Sequence, residues 1–200
     1  AVDGVERLHD ETLDVETMVL AILRDGERIE RATEGDDVEV ILAATPFYVE
    51  AGGQVSDLGV LARYADDRDE PVWEIEVEDM REPVPGLLVH AGRVAGGRPR
   101  VDDPVWALVD PTRRMDVARN HTATHLLHSE LRYILGEHVQ QAGSLVAPDR
   151  LRFDFTHGAM LTQDQLDAVE QSVNDAILAN YPLEVDFDRY DHAVAGGAMA

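Results

Sequence analysis

The chain has 200 residues, 44% of them apolar, enough to bury a core, and a formal net charge of −23 with a pI near 4.4. It contains no Cys, which excludes a disulfide framework and any thiolate metal ligand inside the chain. No run of about 18 apolar residues occurs, so no membrane-spanning helix is expected. Residues 1–10 lack the basic-then-apolar pattern of a signal peptide, and a cytoplasmic home fits. All 17 basic residues are Arg, and so acidic a chain repels nucleic acid at long range.

The first half reads as strands. Residues 16–23 (ETMVLAIL) end at Asp25-Gly26, a hairpin dipeptide. Apolar or alternating runs follow at 38–43, 59–64, 72–77, 87–94 and 101–109, separated by Gly, Pro and Asp clusters. Short runs at this spacing predict a small β-barrel over residues 1–111.

The pattern changes at Asp110-Pro111-Thr112. From Arg113 to Leu135 there is neither Gly nor Pro, and Met115, Ala118, Thr122, His125, Leu126, Ser129 and Tyr133 fall near helical spacing. Thr112 or Asp116 is the expected cap and Gly136 the stop. Strands are expected at 139–146 and 151–155. A helix at 161–179 follows, with a Thr162/Gln165 capping box and a stop at Asn180-Tyr181-Pro182. A strand at 183–187 and a helix from Tyr190 complete an α+β unit over residues 112–200, with helices packed on an antiparallel sheet.

Three segments carry candidate chemistry. His121 and His125 are four apart and project from one helical face, with His128 roughly on the same side. Such a pair is half of a zinc site or two ordinary, partly buried histidines. Thr122 stands where a zinc protease has its Glu, which excludes that chemistry. The stretch 45–54 (TPFYVEAGGQ) has paired glycines, suited to a bulged barrel strand or to close approach of a ligand. Gln140 and Gln141 sit on a strand beside the His helix. They point to opposite faces, so one of them faces a pocket or both are polar filler.

Together these segments resemble the editing region of alanyl-tRNA synthetases. TPFYVEAGGQVSDLG resembles that family's glycine-rich barrel motif. RNHTATHLLH resembles its zinc-binding HxxxH helix, and HVQQAGSLVAPDRLRFDF the strand pair that follows. GGAMA, at the end of the chain, resembles the approach to the family's Cys-x-x-x-His. The resemblance implies a translation-factor-like barrel followed by an editing domain, C-terminally truncated, without the aminoacylation domain. It implies that His121 and His125 are two of four zinc ligands, the others lying beyond Ala200. It implies that Gln141 lines the editing pocket and that Thr45 lies near the amino-acid moiety. The implied reaction is hydrolysis of serine or glycine from the tRNA for alanine, with the acceptor end of that tRNA and the remaining synthetase domains as partners. Arg113, Arg114, Arg119, Arg150 and Arg152 are the expected basic strip for the acceptor end. Ala51 departs from the Gly or Ser common in the family at that position. A freestanding editing hydrolase and a non-catalytic tRNA-binding module share parts of this signature.

Overall fold

The computed structural model describes residues 5–7, 12–65, 70–182 and 188–197. Its first part contains β1 (Glu6–Arg7), β2 (Asp14–Arg24), β3 (Glu27–Ile29), β4 (Asp37–Leu42), β5 (Ala44–Thr45), β6 (Gly59–Tyr64), β7 (Pro71–Arg81), β8 (Val89–Gly96) and β9 (Pro104–Val109). The alternation that makes these strands is plainest in β7. Trp73, Ile75 and Val77 are buried, while Glu76 and Glu78 between and after them face water. Asp25 and Gly26 both take positive φ, 54° and 78°, as a two-residue hairpin turn requires.

Strand order around the sheet is β2-β4-β8-β7-β6-β9, all antiparallel, and pairing of β9 with residues 14–18 of β2 closes a six-stranded barrel. β3 folds back on β2 as a short hairpin arm. Closure leaves these strands without an open edge and encloses one core, in which Phe47, Leu61, Trp73 and Ile75 are fully buried. Polar groups at this core are paired: Asp103 accepts from Trp73 Nε1 at 2.8 Å and is bridged by Arg63.

The second part contains α1 (Pro111–Leu135), β10 (Gln141–Val146), β11 (Leu151–Phe155), α2 (Gln163–Ala179) and α3 (Tyr190–Ala195). Its core is small: Leu131, Val139 and Val169, with Leu127, Phe153 and Phe155 packed against them. The fold is thus α+β, a six-stranded antiparallel barrel followed by helices and a two-stranded sheet.

Several expectations need correction. Asp110, not Thr112 or Asp116, caps α1, accepting from the backbone N–H groups of Thr112 and Arg113 at 2.9 and 3.0 Å. Pro111 has no N–H to offer and suits the first helical position, which places the cap one residue earlier. The buried face of α1 runs through Val117, Thr124, His128 and Leu131; Met115 and Tyr133, of the expected stripe, are exposed. The first strand of the pair begins at Gln141 rather than 139, and the last barrel strand at Pro104 rather than 101. The short strands β1, β3 and β5 were not legible as separate elements. The capping box of α2 and its stop at Asn180 are as expected, and Asn180 takes a left-handed φ of 49°. The strand expected at 183–187 and the final residues of GGAMA lie outside the described residues. Among the described residues no helix is long and apolar enough to cross a membrane.

Candidate functional site

After β5, which pairs with β1 outside the barrel sheet, the glycine-bearing segment runs on without joining that sheet, so it is not a bulged barrel strand. It crosses to the second unit as a loop tied down at both ends. Near its start, the Asp57 carboxylate accepts from the Tyr48 backbone N–H at 2.7 Å and from Arg114 Nε at 3.0 Å. Arg114 also donates to the Pro46 carbonyl at 2.8 Å. Both side chains of this ion pair are largely withdrawn from water. Near its end, the loop joins β10: Val146 N–H donates to Gly53 O at 2.8 Å, and Val55 N–H to Val146 O at 3.0 Å. The approach is so close that a Cβ on Gly53 would stand 2.2 Å from the Ser144 carbonyl oxygen, and φ there is 85°. Only glycine fits.

This docking leaves a cleft of about 340 Å³ between the loop, α1 and the β10–β11 pair. The α1 wall is one helical face, His121, Thr124, His125 and His128, at spacings of three and four. The loop supplies Tyr48, Ala51, Gly52 and Gln54, and the sheet supplies Gln141, Ser144, Val146 and Phe153. The imidazoles of His121 and His125 lie nearly parallel, ring centres 5.0 Å apart. His121 Nδ1 donates to Gln54 Oε1 at 2.6 Å, which places the lone pair of the neutral ring on Nε2. Gln141 Nε2 donates to Ser144 Oγ at 3.2 Å, and that hydroxyl donates to Gly52 O at 3.1 Å. The Gln141 amide is thereby held on the lip of the cleft, against the glycine turn. Burial pushes the His128 pKa down, which favours its neutral form.

The structure therefore brings His121, His125, Gln141 and Gly52 to one cavity. It does not bring Thr45 there. That side chain is fully buried in the barrel, its Oγ1 2.8 Å from His90 Nε2 and accepting from the Phe47 backbone N–H. The threonine that lines the cleft is Thr124, buried, with Oγ1 donating to the Asn120 carbonyl at 2.7 Å. Its position three residues after His121 was the available signal. Gln54, Ser144 and Tyr48 are further lining residues that inspection of the sequence did not single out; no local pattern marks them, because the fold brings them together.

As metal ligands, His121 and His125 offer two imidazole nitrogens on one face, the nitrogen chemistry that zinc accepts. No cluster of three or more His, Asp or Glu suited to a metal occurs among the described residues, so the pair fits as part of a ligand set and not as a whole one. The basic strip expected for RNA is not a free patch. Arg114 is paired with Asp57, and Arg113 donates to the Ser56 carbonyl at 3.2 Å. Arg119, Arg150 and Arg152 are exposed, and each carries a carboxylate partner, Asp116, Asp149 and Asp154 in turn.

Comparison with known proteins shows the family of the chain. The family model of class II (A) tRNA synthetases matches residues 2–113. The alanine–tRNA ligase of Chloroflexus aurantiacus is 46% identical over 197 residues, 98% of this chain and 21% of the relative. That of Roseiflexus sp. is 49% identical over 183 residues, 92% of this chain and 19% of the relative. That of Fervidobacterium nodosum is 47% identical over 192 residues, 95% of this chain and 21% of the relative. The chain spans about a fifth of the length of these relatives. It belongs to the class II (A) tRNA synthetase family, as a homologue of one segment of the alanine–tRNA ligases.

Proposed function

We propose that the cleft is an editing site, where the ester joining serine or glycine to the tRNA for alanine is hydrolysed, as part of an alanine–tRNA ligase. The observation that carries this reading is the convergence of the His121–His125 pair with Gln54, Gln141 and Ser144 in one cavity beside the glycine turn. The need for such a site is physical. A synthetic pocket shaped for alanine admits the smaller glycine and rejects serine only weakly. One small group is worth about 1–3 kcal/mol, so a second, hydrolytic sieve is required.

His121 and His125 would hold zinc together with ligands from elsewhere in the protein. When bound, zinc supplies Lewis acidity toward the ester or a water molecule. The chain's own residues do the positioning. Gln54 fixes the tautomer and orientation of His121, and the glycine turn lets backbone approach the substrate closely. The polar lip formed by Gln141 and Ser144 offers hydrogen bonds to the amino-acid moiety. Sparing of correct alanyl-tRNA follows if a polar group is satisfied by serine and left unpaired by alanine.

The partner is the acceptor end of the tRNA. With Arg114, Arg119, Arg150 and Arg152 each paired to a carboxylate and a net charge of −23, this chain by itself binds tRNA weakly and with strong salt dependence. The test is deacylation of seryl-, glycyl- and alanyl-tRNA by the synthetase carrying this segment. Gln141→Ala shifts the serine-to-alanine rate ratio by about tenfold; an unchanged ratio rejects its role. The His121→Ala/His125→Ala double variant loses zinc, and stoichiometric zinc retained in it rejects the ligand assignment.

A further inference from the structure

The cleft has a neighbour. A second open cavity, of about 480 Å³, adjoins it, and Tyr48, Gln54 and His121 line both. The hydrogen bond between His121 Nδ1 and Gln54 Oε1 spans helix and loop where the two cavities meet. The remaining walls of the second cavity are Leu13, just before β2, and Arg114, Met115, Ala118 and Thr122 from the first half of α1. Its character differs from that of the cleft. The cleft carries amides, hydroxyls and imidazoles, whereas Leu13, Met115 and Ala118 give the second cavity an aliphatic surface. Leu13 is 37% and Met115 53% exposed. Single exposed apolar side chains are ordinary, but these are grouped in one concavity beside a proposed ligand site. They also sit on fixed backbone: the Leu13 carbonyl accepts from Val109 N–H at 2.8 Å, and Asp110, the next residue, caps α1.

We infer that this second cavity is the adenine subsite of the cleft. The base of the terminal adenosine of the tRNA packs on Leu13, Met115 and Ala118, the esterified amino acid occupies the first cavity, and the ester lies at the divide, beside His121. This rests on the editing reading given above and adds to it the place of the nucleoside. The connectivity of the substrate matches two unlike cavities joined at an edge, because a small polar amino acid and a flat base lie on opposite sides of the ester. The walls select the base over the rest of the nucleotide. A phosphate or a ribose would exchange water for aliphatic side chains at a cost. The Arg114 guanidinium at this cavity is already held by the Asp57 carboxylate and the Pro46 carbonyl. A base loses little water from its faces and stacks on apolar side chains, and the polarisable thioether of Met115 suits an aromatic ring.

The experiment adds two ligands to this chain: the amide-linked 3′-seryl derivative of 3′-amino-3′-deoxyadenosine, and the same molecule with hydrogen in place of the base. The methyl resonances of Leu13 and Met115 are followed together with the amide resonances of Gly52, Gln141 and Ser144. The adenosine ligand moves both sets, with ring-current shifts at the methyl groups. The base-free ligand moves the amides alone and binds about tenfold more weakly. Leu13→Ser/Met115→Ser, at two exposed positions, removes most of that tenfold difference and leaves the affinity for the base-free ligand unchanged. Binding of neither ligand by the folded chain would overturn the editing reading and this inference with it. Shifts at the cleft amides with unmoved Leu13 and Met115 methyl groups, or equal affinity for the two ligands, would overturn this inference alone.

Discussion

The two halves of the molecule treat buried polar groups in opposite ways. In the barrel, His90 is fully buried yet fully engaged, with Nε2 on Thr45 Oγ1 and Nδ1 on the Val40 carbonyl. Asp103 is likewise satisfied by Trp73 and Arg63. In the second unit His128 is buried with Nε2 unpartnered, and His121 and His125 stand exposed at a cavity. A closed barrel with satisfied interior groups is a scaffold. A small core beside an under-satisfied cleft is where ligand chemistry belongs. The loop anchored by Asp57 and Arg114 joins the two, so its disruption should tell them apart.

The largest expected effect is at that joint. Asp57→Ala leaves the Arg114 guanidinium buried without its carboxylate, and costs about 3–5 kcal/mol in urea denaturation. Next is acid. Burial pushes the His90 pKa down from 6.5 to about 4. Between these values the unfolded chain takes up a proton that the folded barrel refuses, so stability falls as pH drops from 6.5 to about 4 and is independent of this ring above 6.5. The loss amounts to about 3 kcal/mol from His90, read as the difference in unfolding free energy between the two pH limits. Third, Gly53→Ala forces a side chain against the Ser144 carbonyl and costs about 1–3 kcal/mol. Amide exchange should quicken at residues 53–55 and in β10, while the barrel strands keep their protection. The smallest effect is at α2: Thr162→Ala removes the capping box and costs about 1 kcal/mol in thermal unfolding, without changing cleft binding. A comparable loss of cleft binding in Thr162→Ala would blur the distinction between the two regions.

What was legible in the sequence is what local chemistry dictates. Asp25-Gly26, the Thr162–Gln165 box and the HxxxH spacing each specify geometry within a few residues, and each appears in the structure. The barrel followed from repeated short alternating runs. What escaped was set by distant partners. Arg114 reads as a surface cation until Asp57, 57 residues away in sequence, is folded onto it. Thr45 stands beside the glycine segment in sequence, but at that point the chain has not yet left the barrel, and its hydroxyl finds His90 instead of the cleft. Thr124 could have been found, because spacings of three and four from His121 place it on the same face as His125 and His128. The assumed helix stripe through Met115 and Tyr133 concealed it.

The central claim is that the cleft between the glycine loop, α1 and β10 receives the amino-acid end of the tRNA. It is tested most directly by mapping amide shifts of this chain on addition of the amide-linked seryl adenosine analogue. The account predicts perturbations concentrated at Gly52, Gln54, Thr124, Gln141 and Ser144. Perturbations confined to the barrel face around Glu39, Glu78 and Arg81 would contradict it.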